Sequence, residues 1–235
     1  MVVYKVHDEE MLGQIAADIF SAQILSRPDS VLGFATGSTP LGLYAKLVEK
    51  NKAGLIDFSR ITTFNLDEYC GLPRENPQSY YSFMHDHLFS HINVQKENVH
   101  LPDGMAADVS AECERYESKI DAAGGIDLQI LGIGANGHIG FNEPGAVFYD
   151  KTHCEELKES TREANKRFFN SIDEVPTHAI SMGVGTIMRA RKIVLLGSRG
   201  KKDIIEKMLY GDIDPQVPAS IVRFHPDVTV AYIAE

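Results

Sequence analysis

Leu128-Gln-Ile-Leu-Gly132-Ile-Gly-Ala-Asn136-Gly-His138-Ile-Gly-Phe-Asn-Glu143-Pro144 is the stretch whose reading decides the fold. Leu128–Leu131 is an apolar run of the buried-strand type. Glycines at 132, 134, 137 and 140 then bring the backbone close to whatever occupies the loop. An amide (Asn136), an imidazole (His138) and a carboxylate (Glu143) are set into that tight space. A loop that follows a strand and carries a base and an acid is where open α/β sheets place their chemistry.

Outward from this loop, apolar runs alternate with helical patterns along the whole chain. Strands are expected at Val2–Val6, Ser30–Ala35, Ile61–Leu66, Asp127–Ile133, His178–Met182, Lys192–Leu196 and Val228–Ile233. Helices are expected at Asp8–Leu25, Pro40–Lys50, Gln78–Phe89, Ala106–Ala122, Thr161–Phe169 and Lys201–Leu209. Short β-rich runs separated by longer amphipathic segments predict an α/β fold, a mostly parallel sheet with helices on both faces. Gly124-Gly125 reads as a helix C-cap leading into the next strand. No repeat or long Pro/Gly/Ser linker interrupts the pattern, so residues 1–235 are expected to form one domain.

The composition, 43% hydrophobic and 24% charged, is that of an ordinary globular protein. A net charge of −10 argues against nucleic acid or an anionic membrane surface as a partner. It leaves room for a small anion, which needs only a few N–H groups and one or two local cations. No apolar run approaches the ~20 residues of a membrane span, and Met1–Glu10 lacks the charged-then-apolar design of a secretion signal. Cys70, Cys113 and Cys154 are widely spaced and read as reduced thiols, which implies a cytoplasmic location.

Three loops carry candidate chemistry. Ala35-Thr-Gly37-Ser38-Thr39-Pro-Leu41 follows a strand and opens a helix, with Thr39 as N-cap and Pro40 as first helical residue. The Gly37-Ser38-Thr39 turn aims N–H groups and two hydroxyls at one point on the positive end of the helix dipole, which makes an anion site. It lacks the Gly-Lys-Ser/Thr of a nucleotide P-loop. A capped turn with no ligand is the alternative. In Phe64-Asn-Leu-Asp67-Glu68-Tyr69 a strand delivers two adjacent carboxylates to its end. Neighbours on extended chain point opposite ways, so one faces the crevice as a general base while the other pairs with backbone or a cation. A solvated acidic turn is the alternative. The third is the opening loop. Gly132-x-Gly134-x-x-Gly137 has the spacing of the dinucleotide fingerprint, but Gly140, Pro144 and Gly145 leave no helix to receive a pyrophosphate. The loop is better read as a holder for His138, with Glu143 fixing its tautomer and Asn136 as a hydrogen-bond donor. A loop histidine satisfied by its surroundings is the competing reading.

Two cations are candidates for the anion. Arg167 lies in Thr161–Phe169, and Lys201 sits at a strand-to-helix turn, with Lys202 beside it. His85-x-His87-x-x-x-His91 lacks a cysteine or carboxylate at ligand spacing and reads as a solvated helix face, so no metal is expected. His153 precedes Cys154, but that pair supports no nucleophile.

Taken together, Thr36–Pro40, Phe64–Tyr69, Gly71-Leu-Pro73, Gly132–Pro144, Ala164-Asn-x-Arg-Phe-Phe169 and Pro218-Ala-Ser220 resemble the glucosamine-6-phosphate deaminase family, in family order over nearly the whole chain. The resemblance implies a Rossmann-like α/β fold and conversion of glucosamine 6-phosphate and water to fructose 6-phosphate and ammonia, without cofactor. It implies Asp67 as the base acting between C2 and C1, His138 as the ring-opening group assisted by Asn136 and Glu143, and Gly37, Ser38, Thr39, Arg167 and Lys201 as the phosphate holders. Two departures stand out. Some family members carry Asp at the place of Asn136, and an amide can only orient or donate. Longer relatives carry a C-terminal extension and a basic effector-binding stretch that 148–158 does not resemble. No activation by N-acetylglucosamine 6-phosphate is therefore expected, and a monomer or low-order homo-oligomer is. Two other functions compete. A 6-phosphogluconolactonase would not need the carboxylate of Phe141-Asn-Glu-Pro144. A non-catalytic sugar-phosphate sensor would need a DNA-binding segment. The segment Tyr149–Phe169, polar and charge-rich, is the expected lid.

Overall fold

The computed structural model describes residues 1–234, except for the side chains at 160, 164 and 168. The side chains of Ala164 and Phe168 in the 164–169 motif, and Glu235 at the end of the expected domain, thus lie outside the described residues.

Seven parallel strands make the main sheet, in the order β1 (Val2–Val6), β10 (Val228–Ile233), β9 (Ile193–Gly197), β6 (Leu128–Gly132), β2 (Val31–Phe34), β3 (Thr62–Asn65), β5 (Val99–His100). From β2 the chain crosses through α2 (Leu41–Lys52) to β3 on one side. From β6 it proceeds to β9 on the other. The β2/β6 boundary is therefore the topological switch point, where α/β sheets open a crevice beyond their strand C-termini.

Helices cover both faces. In the β2–β3 register Gly33 stands opposite Phe64, so Phe34 and Phe64 point to opposite sides. Phe34 packs on Phe20 of α1 (Glu9–Ser26) and Tyr44 of α2, at ring-centroid distances of 5.7 Å each. Phe64 packs edge-on against Tyr116 of α4 (Val109–Ala122), also at 5.7 Å. These rings belong to one buried cluster that runs from Val6 to Ile233.

Start signals place the helix ends. Asp8 caps α1 by accepting from Met11 N at 2.7 Å, and Asp108 caps α4 by accepting from Ala111 N at 3.0 Å. The cap at Asp108 moves the start of α4 inward from the expected Ala106. Gly125 N donates to Ile120 O at 2.9 Å with Gly124 and Gly125 both left-handed, closing α4 before β6.

A second sheet was not foreseen. β4 (Asp67–Tyr69) begins two residues after β3, and pairs antiparallel with β8 (His178–Ser181), which pairs in turn with β7 (His153–Glu156). The expected strand at His178–Met182 thus forms outside the parallel sheet. Leu66 is the pivot: its N–H reaches Phe34 O in the main sheet at 3.0 Å, and its carbonyl accepts from Met182 N beside the small one at 2.7 Å. The remaining helices are α3 (Tyr80–His87), α5 (Glu159–Asn165), α6 (Val184–Met188) and α7 (Lys202–Tyr210). Among the described residues no helix is long and apolar enough to cross a membrane.

Candidate active site

Four loops leave the C-terminal ends of β3, β2, β6 and β9 side by side, and they enclose a cleft of about 410 Å³. That volume suits a small metabolite. Asp67, Asn136, His138, Gly37, Ser38, Thr39, Arg167 and Lys201 all line it.

The β2 loop differs from expectation at the helix start. α2 begins at Leu41 with Pro40 at the cap position, and no side chain caps it. The Thr39 hydroxyl instead lies 3.4 Å from Ser198 Oγ, at the end of β9. No side chain therefore closes the helix N-terminus, and the turn just before it, Thr36–Thr39, lines the cleft together with Ser198. Tyr44 anchors the loop from below: its hydroxyl donates to Ala35 O and accepts from Ala35 N at 3.2 Å.

Lys201 precedes α7 and lines the cleft; Lys202 begins the helix and does not. Burial lowers the affinity of the Lys201 amine for its proton, and the Arg167 charge lowers it further. Two cations from different elements thus converge beside an open helix end, where an anion would relieve their repulsion.

The two carboxylates at the end of β3 separate. Glu68 accepts from Tyr80 N and Tyr81 N, both at 2.9 Å, and from Tyr69 N at 2.9 Å, so it serves the start of α3. Asp67 lines the cleft yet is only 6% exposed, and among the described residues no hydrogen bond or ion pair reaches its carboxylate. Burial, and then the charge of Glu68, push its pKa up to about 8.

In the β6 loop the His138 ring lies directly over Gly134, where any Cβ would sit 2.2 Å from the ring. Gly140 adopts φ +56°, and a Cβ there would crowd Ser181 Oγ at 3.0 Å and approach Asp67 Oδ2 at 3.5 Å. Gly134 thus leaves the room that the His138 ring fills, and Gly140 supplies the left-handed backbone that turns the loop beside Ser181. No helix follows Gly137; the next is α5, which agrees with the rejection of a dinucleotide site.

Glu143 is nearly sealed, its side chain 1% exposed. Oε2 accepts from Asn136 Nδ2 at 2.8 Å, and Oε1 accepts from the Thr161 hydroxyl. Oε1 is also 3.7 Å from His138 Nδ1, a buried atom with no hydrogen-bond partner. The expected tautomer-fixing bond is thus one small shift away from forming. Burial holds the imidazole below its ordinary pKa against the opposing pull of Glu143, so the ring is neutral near pH 7.

Sequence reasoning did not find Tyr80, Thr161, Asn165 and Ser198, which also line the cleft. Tyr80 stacks on Phe141 with centroids 6.0 Å apart and planes 4° apart. Isolated polar or aromatic residues at the ends of helices and strands carry no sequence signal of a site. The expected lid divides: β7 is stitched into the small sheet, whereas Thr161, Asn165 and Arg167 face the cleft. His85, His87 and His91 lie away from it on α3 and the turn beyond, and no described group of His, Cys, Asp or Glu is arranged to hold a metal. Cys70, Cys113 and Cys154 are free thiols.

The sequence profile of the glucosamine-6-phosphate isomerase/6-phosphogluconolactonase family matches residues 8–231. Glucosamine-6-phosphate deaminase of Thermoanaerobacter pseudethanolicus is 55% identical over 230 residues, covering 97% of this chain and 90% of that one. The deaminase of Alkaliphilus oremlandii is 55% identical over 229 residues, with 97% and 95% covered. Among solved structures, a monomeric glucosamine-6-phosphate deaminase superposes with TM-score 0.96 at 46% identity, covering 99% of this chain and 97% of the other. A 6-phosphogluconolactonase from Thermotoga maritima, at TM-score 0.78 and 22% identity over 99% and 98% of the two chains, shares the fold.

Proposed function

This chain belongs to the glucosamine-6-phosphate isomerase/6-phosphogluconolactonase family, and we propose that its cleft converts glucosamine 6-phosphate and water to fructose 6-phosphate and ammonia by general acid–base chemistry. The observation that carries this reading is a buried, unpaired Asp67 facing the same cleft as His138 and the Arg167–Lys201 cation pair.

The open end of α2, the Ser38 and Thr39 hydroxyls, the Gly37–Thr39 N–H groups, Arg167 and Lys201 hold the phosphate. This fixes the sugar far from its reacting carbons. Neutral His138 takes the C1 hydroxyl proton and returns one to O5, which breaks the O5–C1 bond and gives the open-chain aldehyde. Glu143 accepts from Nδ1–H as the imidazolium forms, and Asn136 steadies Glu143. Asp67 then takes the C2 proton while the C1 oxygen gains one, giving an enolamine. Proton return at C1 leaves an iminium at C2; water adds there and ammonia departs.

The raised pKa of Asp67 fits this role. In the empty cleft at pH 7 the group is largely protonated. A substrate ammonium at C2 favours the carboxylate form and so creates the base where it is needed. General acid–base steps of this kind are each worth about 10²–10⁴-fold.

One polypeptide domain acts alone, as a monomer in the cytoplasm; the solved monomeric relative and the free thiols support this. The segment 158–169 closes over the substrate. Incubation with glucosamine 6-phosphate, reading ammonium and fructose 6-phosphate together, tests the reading. Equal amounts of both are expected. Hydrolysis of 6-phosphogluconolactone without ammonium release would replace it with the lactonase, and binding without turnover would make the protein a sensor.

A further inference from the structure

α5 joins the two halves of the cleft. Its first turn brings Thr161 to Glu143, and the turn that follows it (Lys166–Phe168) brings Arg167 to the anion pocket. Lys158, at its N-terminus, donates to Pro144 O at 2.6 Å, so the same segment is pinned to the His138 loop at a second point. From its far side Arg162 Nη2 donates to Ile172 O at 2.9 Å.

The Thr161 hydroxyl is one of the two hydrogen-bond donors to the Glu143 carboxylate among the described residues, the other being Asn136. It binds the oxygen that lies nearest His138 Nδ1. A carboxylate oxygen accepts more than one donor. With Asn136 on Oε2 and Thr161 on Oε1, the carboxylate plane is set and a lone pair of Oε1 is left for Nδ1. A movement of Thr161 that draws Oε1 about half an ångström or more toward the ring brings it into hydrogen-bond range of an imidazole now 3.7 Å away.

We propose that Thr161 is a positioning residue for ring opening, and that α5 transmits the gripping of the substrate phosphate by Arg167, through Thr161 and Glu143, to His138. The inference rests on the deaminase reading above. Its consequence is that the phosphate does more than anchor: it completes the acid–base site through the chain.

The test uses Thr161→Val, which keeps the shape and removes the donor, and Thr161→Ser, which keeps the hydroxyl. With glucosamine 6-phosphate, Thr161→Val is expected to lose about 10–100-fold in kcat, the size of one hydrogen bond to a charged group, with little change in KM. Thr161→Ser is expected to restore most of it. The second readout is turnover of unphosphorylated glucosamine with inorganic phosphite supplied separately. Phosphite is expected to stimulate the wild type and the Ser variant but not the Val variant.

Phosphite stimulation undiminished in Thr161→Val overturns the inference, as does a wild type that phosphite does not stimulate. A fall in kcat that Ser fails to restore, accompanied by a lower melting temperature, reduces Thr161 to a packing role and also overturns it. If the wild type releases no ammonium from glucosamine 6-phosphate, the deaminase reading itself has failed, an outcome distinct from all of these.

Discussion

Replacing Asp67 by Asn should make the protein more stable while removing its activity. The carboxyl ionises near 3.8 in an unfolded chain and at about 8 in the cleft. Between those values the unfolded chain has released a proton that the native state retains, so native stability falls as pH rises. The slope is about 1.4 kcal/mol per pH unit for a single group. Over the roughly three units from 4 to 7 this amounts to about 4 kcal/mol, and solvent entering the cleft lowers it toward 2 kcal/mol. The asparagine side chain has the same shape and no proton to lose, so it escapes this cost. Urea unfolding of both proteins at pH 5 and pH 8 provides the assay. The Asn variant should be modestly more stable at pH 5 and more stable by several kcal/mol at pH 8. A gap that does not widen with pH would show that burial of this carboxylate is not what sets its proton affinity. In the same variant, binding that depends on the substrate phosphate should persist, while exchange of the C2 hydrogen with solvent disappears. Retained exchange removes Asp67 as the base.

The same proton affinity should appear in the kinetics. The acid limb of kcat/KM, which reports the free enzyme, should lie near pH 8, and the limb of kcat at lower pH, because the bound substrate ammonium favours ionised Asp67; coincident limbs would contradict this. Arg167→Ala and Lys201→Ala should each lower kcat/KM by about 10–100-fold, the size of one charged hydrogen bond to phosphate. Lys202→Ala, outside the cleft, should stay within about twofold. Velocity curves should be hyperbolic and unchanged by N-acetylglucosamine 6-phosphate, since 148–158 offers an edge strand rather than a basic stretch; sigmoidal curves made hyperbolic by that compound would refute this.

Most of the framework was legible because each element carries its own periodicity and punctuation. The helical period from Asp8 onward announces α1, Gly124-Gly125 ends α4, and apolar runs such as Ile193-Val-Leu-Leu mark central strands. β4, β5, β7 and α6 were not legible. They are two to five residues long, too short for a period to show, and β7 (His-Cys-Glu-Glu) is polar because it lies on the edge of a small sheet. The cap of α2 was misread for a related reason. Thr39 has the side chain of an N-cap, but its hydroxyl goes to Ser198, a partner 159 residues away that no local rule can see. Strand alternation told that one of Asp67 and Glu68 faces the cleft, and only the family resemblance pointed to Asp67. Its isolation was not legible, since that depends on Glu68 being drawn off by the backbone of α3.

The departure at Asn136 acquires a physical meaning from this geometry. Its amide nitrogen lies 2.8 Å from Glu143 Oε2, while its own Oδ1 accepts from His138 N at 3.2 Å. An aspartate in that place would face a nearly sealed carboxylate across the same distance, and the pair would have to share a proton to coexist. With an amide a hydrogen bond replaces that repulsion, and Oε1 is left facing His138. The site then depends on donors rather than on a second acid to aim that carboxylate. One of those donors, Thr161, sits on the segment that also carries Arg167 to the cleft, so under the proposed function the same segment would aim the carboxylate and grip the phosphate.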